Sequence, residues 1–393
     1  MKYFFPTRLT GLVLVIGFFF ACSSSKPSID SLVENNEYEL ALSSIEESLL
    51  QNPNQPTLII QKGEINIILA KQQEAENRSN FYAEAITAFD EAVNMEADSS
   101  QKAGIEEALN REWSQEHNSG TASFNNETTD ADHSVTIAHF KNAILLNPGE
   151  SSSYQSLATT YFTSGEIQEA IATLNTAKNS VEEVPNSLYE NLGFLYLQDG
   201  NAVQSVFYFE LANTDIIGNK NIAFGLVNAY ISAGEREEAV SLLRELSTTY
   251  PTDGAIRNVY GTQLYLVTQE IMDDLVSAYS EGDTSLASQI RFEAEGVGEQ
   301  AEQELIGALN TDSSNDDYIE SLAVFYNNMT GKYLEAHRVA FDEDKTSLEN
   351  KASVLLNFAI EYYQKLLESS PGSQSIEDTI NSLNTLKENR FGS

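Results

Sequence analysis

Three consecutive stretches of the chain carry the same residue types at the same intervals, and this periodicity limits the fold more than any other feature. With a unit numbered from 1 at Ser151, positions 4, 7, 8, 11, 15, 20, 24 and 27 hold Tyr154, Leu157, Ala158, Tyr161, Gly165, Ala170, Leu174 and Ala177. The second unit places Tyr189, Leu192, Gly193, Tyr196, Gly200, Ser205, Phe209 and Ala212 there. The third places Ala223, Leu226, Val227, Tyr230, Gly234, Ala239, Leu243 and Leu246, at spacings of 35 and then 34 residues. Positions 4, 7, 8 and 11 share one face of a first helix, and 20, 24 and 27 share one face of a second. Small residues at 8 and 20 allow those helices to approach closely. The glycine at 15 ends the first helix in the left-handed conformation that its last carbonyls require. Pro251, at position 32 of the third unit, cannot continue a helix and opens the next turn.

The pattern resembles the tetratricopeptide repeat (TPR) family over residues 151–253. The resemblance implies an all-α fold, a right-handed α-solenoid of helical hairpins. Second-helix half-motifs extend it at Ala41-Ile45-Ser48-Pro53, Ala85-Phe89-Ala92, Thr136-Phe140-Ala143-Pro148, Ala301-Leu305-Ala308 and Ala359-Tyr363-Leu366-Pro371. First-helix half-motifs stand at Tyr260-Gly261-Leu264 and Leu322-Ala323-Tyr326. The expected organisation is about eight hairpins in one continuous body: TPR-like ones over 30–150, three regular repeats over 151–253, and elongated ones over 254–372. A capping helix, Ile376 to Asn389, and a tail follow over 373–393. The long insertions Gln263 to Tyr279 and Thr284 to Asn310 are helix-permissive, which predicts lengthened helices rather than loops. Residues 118–132, polar, aperiodic and rich in Gly, Asn and Thr, read as a flexible loop.

The N-terminus reads as a targeting segment rather than as fold. Lys2 and Arg8 precede an apolar run, Leu9 to Ala21, that is too short to span a bilayer. It ends in Phe19-Phe20-Ala21-Cys22 followed by Ser23-Ser24-Ser25. This resembles the lipobox of bacterial lipoproteins, departing at Phe19 and Phe20, where that family prefers Leu and a small residue. The resemblance implies a signal peptide over 1–21, diacylglycerol on the Cys22 thiol, a fatty acyl group such as palmitate on its freed amine, and a tether over 22–29. Cys22 is the only cysteine, so no intramolecular disulfide can form. Each buried acyl methylene contributes about 0.8 kcal/mol, so two or three chains anchor stably.

The net charge is −37, and removal of Lys2 and Arg8 with the signal peptide takes it to −39. Such a surface repels phosphate backbones and anionic headgroups, which disfavours nucleic acid as a partner and leaves membrane attachment to the acyl anchor. The chain carries no G-x-S-x-G, H-E-x-x-H or G-x-x-x-x-G-K-[ST]. His117, His133, His139 and His337 suit no common metal spacing and read as surface or partly packed side chains. The acidic clusters Asp130-Ala131-Asp132, Asp312 to Asp317 and Asp342-Glu343-Asp344 lack the alternating ligands of a calcium loop. Asp316 and Asp317 read instead as caps of the helix that begins at Tyr318. No enzymatic activity, cofactor or metal is expected.

What remains is the groove. In TPR proteins positions 2, 5, 9, 12 and 13 face a concave surface. The resemblance carries these onto Ser152, Gln155, Thr159, Phe162 and Thr163; then Ser187, Glu190, Phe194, Leu197 and Gln198; then Asn221, Phe224, Asn228, Ile231 and Ser232. None of the fifteen is Lys or Arg, so the groove lacks the basic clamp with which some TPR domains hold acidic tails. Phe162, Phe194, Leu197, Phe224 and Ile231 offer apolar anchors, while Gln155, Thr159 and Asn228 could bond a peptide backbone. The alternative is that packing between repeats covers these side chains. The leading functional reading is a lipid-anchored scaffold that binds an envelope protein or peptide segment, on the periplasmic face of the outer membrane. The second is a regulator or positioner of a peptidoglycan enzyme. The third is a hydrolase within the long C-terminal hairpins.

Overall fold

The computed structural model describes residues 27–95, 97–126, 132–212 and 215–392. The lipobox-like segment with Cys22 lies outside these residues, as do Asp130 and Ala131 of the first acidic cluster. The described residues contain seventeen α-helices, one 3-10 turn and no strand. The chain divides into two compact units, Met1–Asn147 and Pro148–Ser393.

The first unit holds three hairpins: α1 (Ile29–Glu34) with α2 (Tyr38–Gln51), α3 (Pro56–Lys71) with α4 (Ser79–Asn94), and α5 (Ser99–Asn126) with α6 (Ser134–Leu146). The half-motif residues are its core, with Ala41, Ile45, Ala85, Phe89, Ala92, Phe140 and Ala143 all buried. Here one expectation fails: the segment read as a loop from residue 118 is helix as far as Asn126. The cause is burial at helical spacing, since Ile105, Ala108, Glu112, Glu116 and Gly120 form the inward stripe of α5. Two glutamates and a glycine disguise that stripe in the sequence. Gly120 is there for contact, because a Cβ at this position would stand 2.8 Å from the Phe140 ring.

The second unit begins with the regular repeats: α7 (Ser151–Thr163) with α8 (Ile167–Ser180), α9 (Asn186–Gln198) with α10 (Ala202–Leu211), and α11 (Lys220–Ala233) with α12 (Arg236–Thr249). Gly165, Gly200 and Gly234 end the first helix of each pair at φ of 79°, 80° and 79°. In each case the next residue's N–H reaches back to a tyrosine carbonyl, as from Glu166 to Tyr161 at 2.8 Å. The close approach shows in the second repeat, where the Ser205 hydroxyl donates to the Gly193 carbonyl at 2.7 Å. Phe209 then packs flat on Gly193. Full burial of a side chain like Phe209 contributes about 1.5–3 kcal/mol.

The insertions lengthen helices, as expected. Helices α13 (Gly254–Glu281) and α14 (Thr284–Thr311) each run 28 residues, α15 (Asp316–Val339) runs 24, and α16 (Asp342–Ser369) runs 28. Their apolar faces merge into one core containing Tyr260, Leu264, Met272, Leu305, Tyr326 and Leu356. Helix α17 (Gln374–Phe391), slightly longer than expected, adds Leu383 to that core and pairs Arg390 with Glu349 at 3.2 Å. Asn315, rather than Asp316 or Asp317, caps α15 by accepting the Tyr318 N–H at 3.2 Å. The two aspartates occupy the first turn, where the helix dipole favours them. The eight hairpins and the final helix place the chain in the all-α, α-solenoid class with TPR-like units.

Candidate functional site

The predicted groove condenses into one cavity of about 130 Å³ between α7 and α9. Both are first helices of adjacent hairpins, so a residue on one faces its counterpart one repeat on. Ala158, Leu174 and Leu195, all buried, form the floor. Phe162 stands on one side, 44% exposed, and Phe194 on the other, half-buried. The polar lining comprises Gln155, Thr159, Asn191 and Gln198, and no ionisable side chain contributes. Asn191 donates to the Gln155 Oε1 at 3.2 Å, linking the two helices across the cavity. The Thr159 hydroxyl is turned onto its own helix and donates to the Gln155 carbonyl at 2.9 Å.

Of the fifteen residues expected to face the groove, the cavity gathers Gln155, Thr159, Phe162, Phe194 and Gln198. The others stand outside its lining. Leu197 packs into the apolar cluster of Phe209, Ile222 and Leu226. Phe224 and Ile231 pack against the core that continues through the long hairpins. Glu190 is half-buried and Asn228 is exposed. Phe194 itself is shared, because its ring meets Phe209 edge-to-face at 4.8 Å and lies over Gly225 of α11. Thus packing between repeats takes much of the aromatic stripe, and Phe162 is its most open member. Asn191 and the floor residues were not anticipated. Asn191 sits one position beyond Glu190 of the expected set, and its hydrogen bond to Gln155 holds it at the cavity.

A second polar constellation lies within the first unit. Glu116, 2% exposed, accepts from Tyr82 OH at 2.7 Å and Arg78 Nη1 at 2.9 Å, and meets His139 Nδ1 at 2.7 Å. Burial pushes its carboxyl up, but these hydrogen bonds and the Arg78 charge prevail and hold it below the ordinary value. Glu112, 1% exposed, pairs with Lys71 at 3.0 Å and Arg111 at 3.1 Å. His139 is therefore a packed, carboxylate-bonded side chain, and His117 stacks on Trp113. Spacing alone gave no signal of this network, since its members come from four elements. Among the described residues no group of three or more His, Cys, Asp or Glu could hold a metal ion. Nor is any described helix long and apolar enough to cross a membrane.

No family model matches the sequence, and neither does any curated protein. Solved structures do resemble the chain at low identity. The C-terminal part of a TPR repeat-containing protein from Cytophaga hutchinsonii is 12% identical, with 89% of this chain and 97% of that one covered and a TM-score of 0.42. PilF from Pseudomonas aeruginosa is 12% identical over 70% of this chain and 99% of its own, also with a TM-score of 0.42. YrrB, a TPR protein with an unusual peptide-binding site, is 12% identical over 71% and 98%, with a TM-score of 0.35.

Proposed function

We propose that this chain is a protein-binding scaffold that captures a segment of a partner in the cavity between α7 and α9. One observation carries the reading: the cavity joins an exposed phenylalanine to side-chain amides and contains no charged group. An apolar depression with a few convergent polar groups binds rather than reacts, because acid–base chemistry needs a titratable group in reach. The amides of Gln155, Asn191 and Gln198 suit the N–H and C=O groups of an unpaired peptide backbone. Phe162 and Phe194 suit one apolar side chain.

The sequence around Cys22 supports a finer placement in the bacterial envelope, with the hairpins held by acyl chains, on the periplasmic face of the outer membrane. The envelope partner and this location belong to the proposal.

Photocrosslinking in intact cells tests the binding role. A photoreactive residue at Gln198 should capture a partner protein identifiable by mass spectrometry, and one at exposed Glu245 on α12 should not. Phe162→Ala should reduce the Gln198 capture severalfold. Equal capture at both positions would remove the cavity from the reading. For the anchor, Cys22→Ser should move the protein from the membrane to the soluble fraction, and unchanged membrane association would overturn it.

A further inference from the structure

We infer that the cavity between α7 and α9 selects a cationic segment: one bulky apolar side chain inserted between Phe162 and Phe194, with lysine or arginine on either side of it. The inference rests on the binding role proposed above and adds the chemistry of the partner.

The cavity itself is electrically neutral, so discrimination must come from its surroundings. Residues 151–253 carry 13 Asp and Glu against four Lys and Arg. None of those four cations lies on α7 or α9, the helices that form the walls. Lys178 sits on α8 and bonds Asn175 and Tyr208. Lys220, at the start of α11, is paired with Asp253 at 2.9 Å. Arg236, on α12, is paired with Glu270, and Arg244, on the same helix, bonds Tyr260 OH at 3.3 Å. The carboxylates, in contrast, flank the walls directly. Glu150 precedes α7, Glu166 follows it, Glu182 and Glu183 precede α9, Glu190 lies on α9 and Asp199 follows it.

The two helices that wall the cavity therefore carry carboxylates beside both ends and no cation along their length. Like charges brought together at an interface oppose binding, while complementary charges raise the encounter rate. An acidic tail is excluded by repulsion, and a purely apolar segment gains nothing from this field. A basic segment with an apolar anchor satisfies both the field and the aromatic walls. The two contributions separate under salt, because screening weakens charge attraction and leaves apolar burial in place.

The test uses the full chain and three fluorescein-labelled synthetic peptides, followed by fluorescence anisotropy. The first has a central phenylalanine flanked by two lysines on each side, the second has glutamates in place of the lysines, and the third has alanine in place of the phenylalanine. The lysine–phenylalanine peptide should bind at least about tenfold more tightly than either of the others, and its affinity should fall severalfold between about 50 and 500 mM NaCl. Phe162→Ala should weaken it by about tenfold. Equal binding of the lysine and glutamate peptides, both lost with Phe162→Ala, would overturn the cationic preference and leave the cavity as the binding site. Binding of the lysine peptide that survives Phe162→Ala would place it elsewhere on the acidic surface and overturn the inference. Failure of all three peptides, with Phe162-dependent crosslinking still seen in cells, would overturn the preference alone. Failure of both experiments would overturn the binding role as well.

Discussion

Gly120 of α5 lies flat against the ring of Phe140 in α6, so close that a methyl group at 120 would come within 2.8 Å of it. Gly104, earlier in the same helix, is exposed with nothing within 4 Å of where its methyl would be. The same substitution should therefore have opposite signs at the two sites. Gly120→Ala should lower stability by about 1–2 kcal/mol, overpacking outweighing the gain in helix propensity. Gly104→Ala should raise it by about 0.5–1 kcal/mol. Trp113 lies between them and is the only tryptophan, so urea titration read by its fluorescence reports on both. A Gly120→Ala variant as stable as the parent would contradict the packing.

The same glycine shows where the sequence is hard to read. Repeats 151–253 are legible because their small and aromatic residues keep one register through three copies, and their glycine turns sit where that register demands. The elongated hairpins are legible for a plainer reason: Gln263 to Tyr279 and Thr284 to Asn310 contain no proline and are mostly helix-permissive. Helix α5 is not, since Glu112, Glu116 and Gly120 occupy positions that are normally apolar. Their burial depends on Lys71, Arg78, Tyr82 and His139, which arrive from other elements. The cavity is half legible. Position along a first helix picks out Gln155, Thr159, Phe162 and Phe194, but how far each neighbouring repeat covers Leu197, Phe224 and Ile231 is set by interhelix packing.

The Glu116 network should make the first unit acid-sensitive. The folded carboxyl titrates below the ordinary glutamate value near 4.5, so the stabilisation is fully present above that value. It is lost as pH falls below 4.5 and through the folded value. Denaturation followed by Trp113 should show stability declining below about pH 4.5, with a shallower decline in Glu116→Gln. At neutral pH, Glu116→Gln should cost about 3 kcal/mol, because Arg78 loses the carboxylate that compensates its partial burial. A parent and variant with the same acid profile would remove Glu116 as the cause.

Phe162 and Phe194 face the same cavity but should respond differently to truncation. Phe162 is 44% exposed, so Phe162→Ala should change stability by less than about 0.5 kcal/mol and act on binding alone. Phe194 packs on Phe209 and Gly225, so Phe194→Ala should cost about 2 kcal/mol as well as weaken binding. Thermal unfolding followed by circular dichroism, together with partner capture, separates the two effects. A large loss of stability in Phe162→Ala would mean that this ring belongs to the core.

Asp253 joins the third regular repeat to the first long hairpin. It caps α13 by accepting the Ala255 and Ile256 N–H groups, each at 3.2 Å, and its other oxygen lies 2.9 Å from Lys220 Nζ. Burial pushes its carboxyl up, but the Lys220 hydrogen bond and charge and the α13 N–H groups together pull it below the ordinary aspartate value. The stabilisation is therefore present above that value and lost as pH falls through the folded one. Asp253→Ala should cost about 1–2 kcal/mol by leaving the first turn of a 28-residue helix uncapped. Asp253→Asn keeps an acceptor for those N–H groups and should retain most of the stability. Lys220→Gln should have a small effect that fades with added salt, since the ammonium is solvent-exposed and screened. Thermal melts of the three variants at low and high salt check the order: Asp253→Ala lowest at both, and Lys220→Gln converging on the parent as salt rises. If Asp253→Asn proved as damaging as Asp253→Ala, the charge pair rather than the cap would be what holds the start of α13.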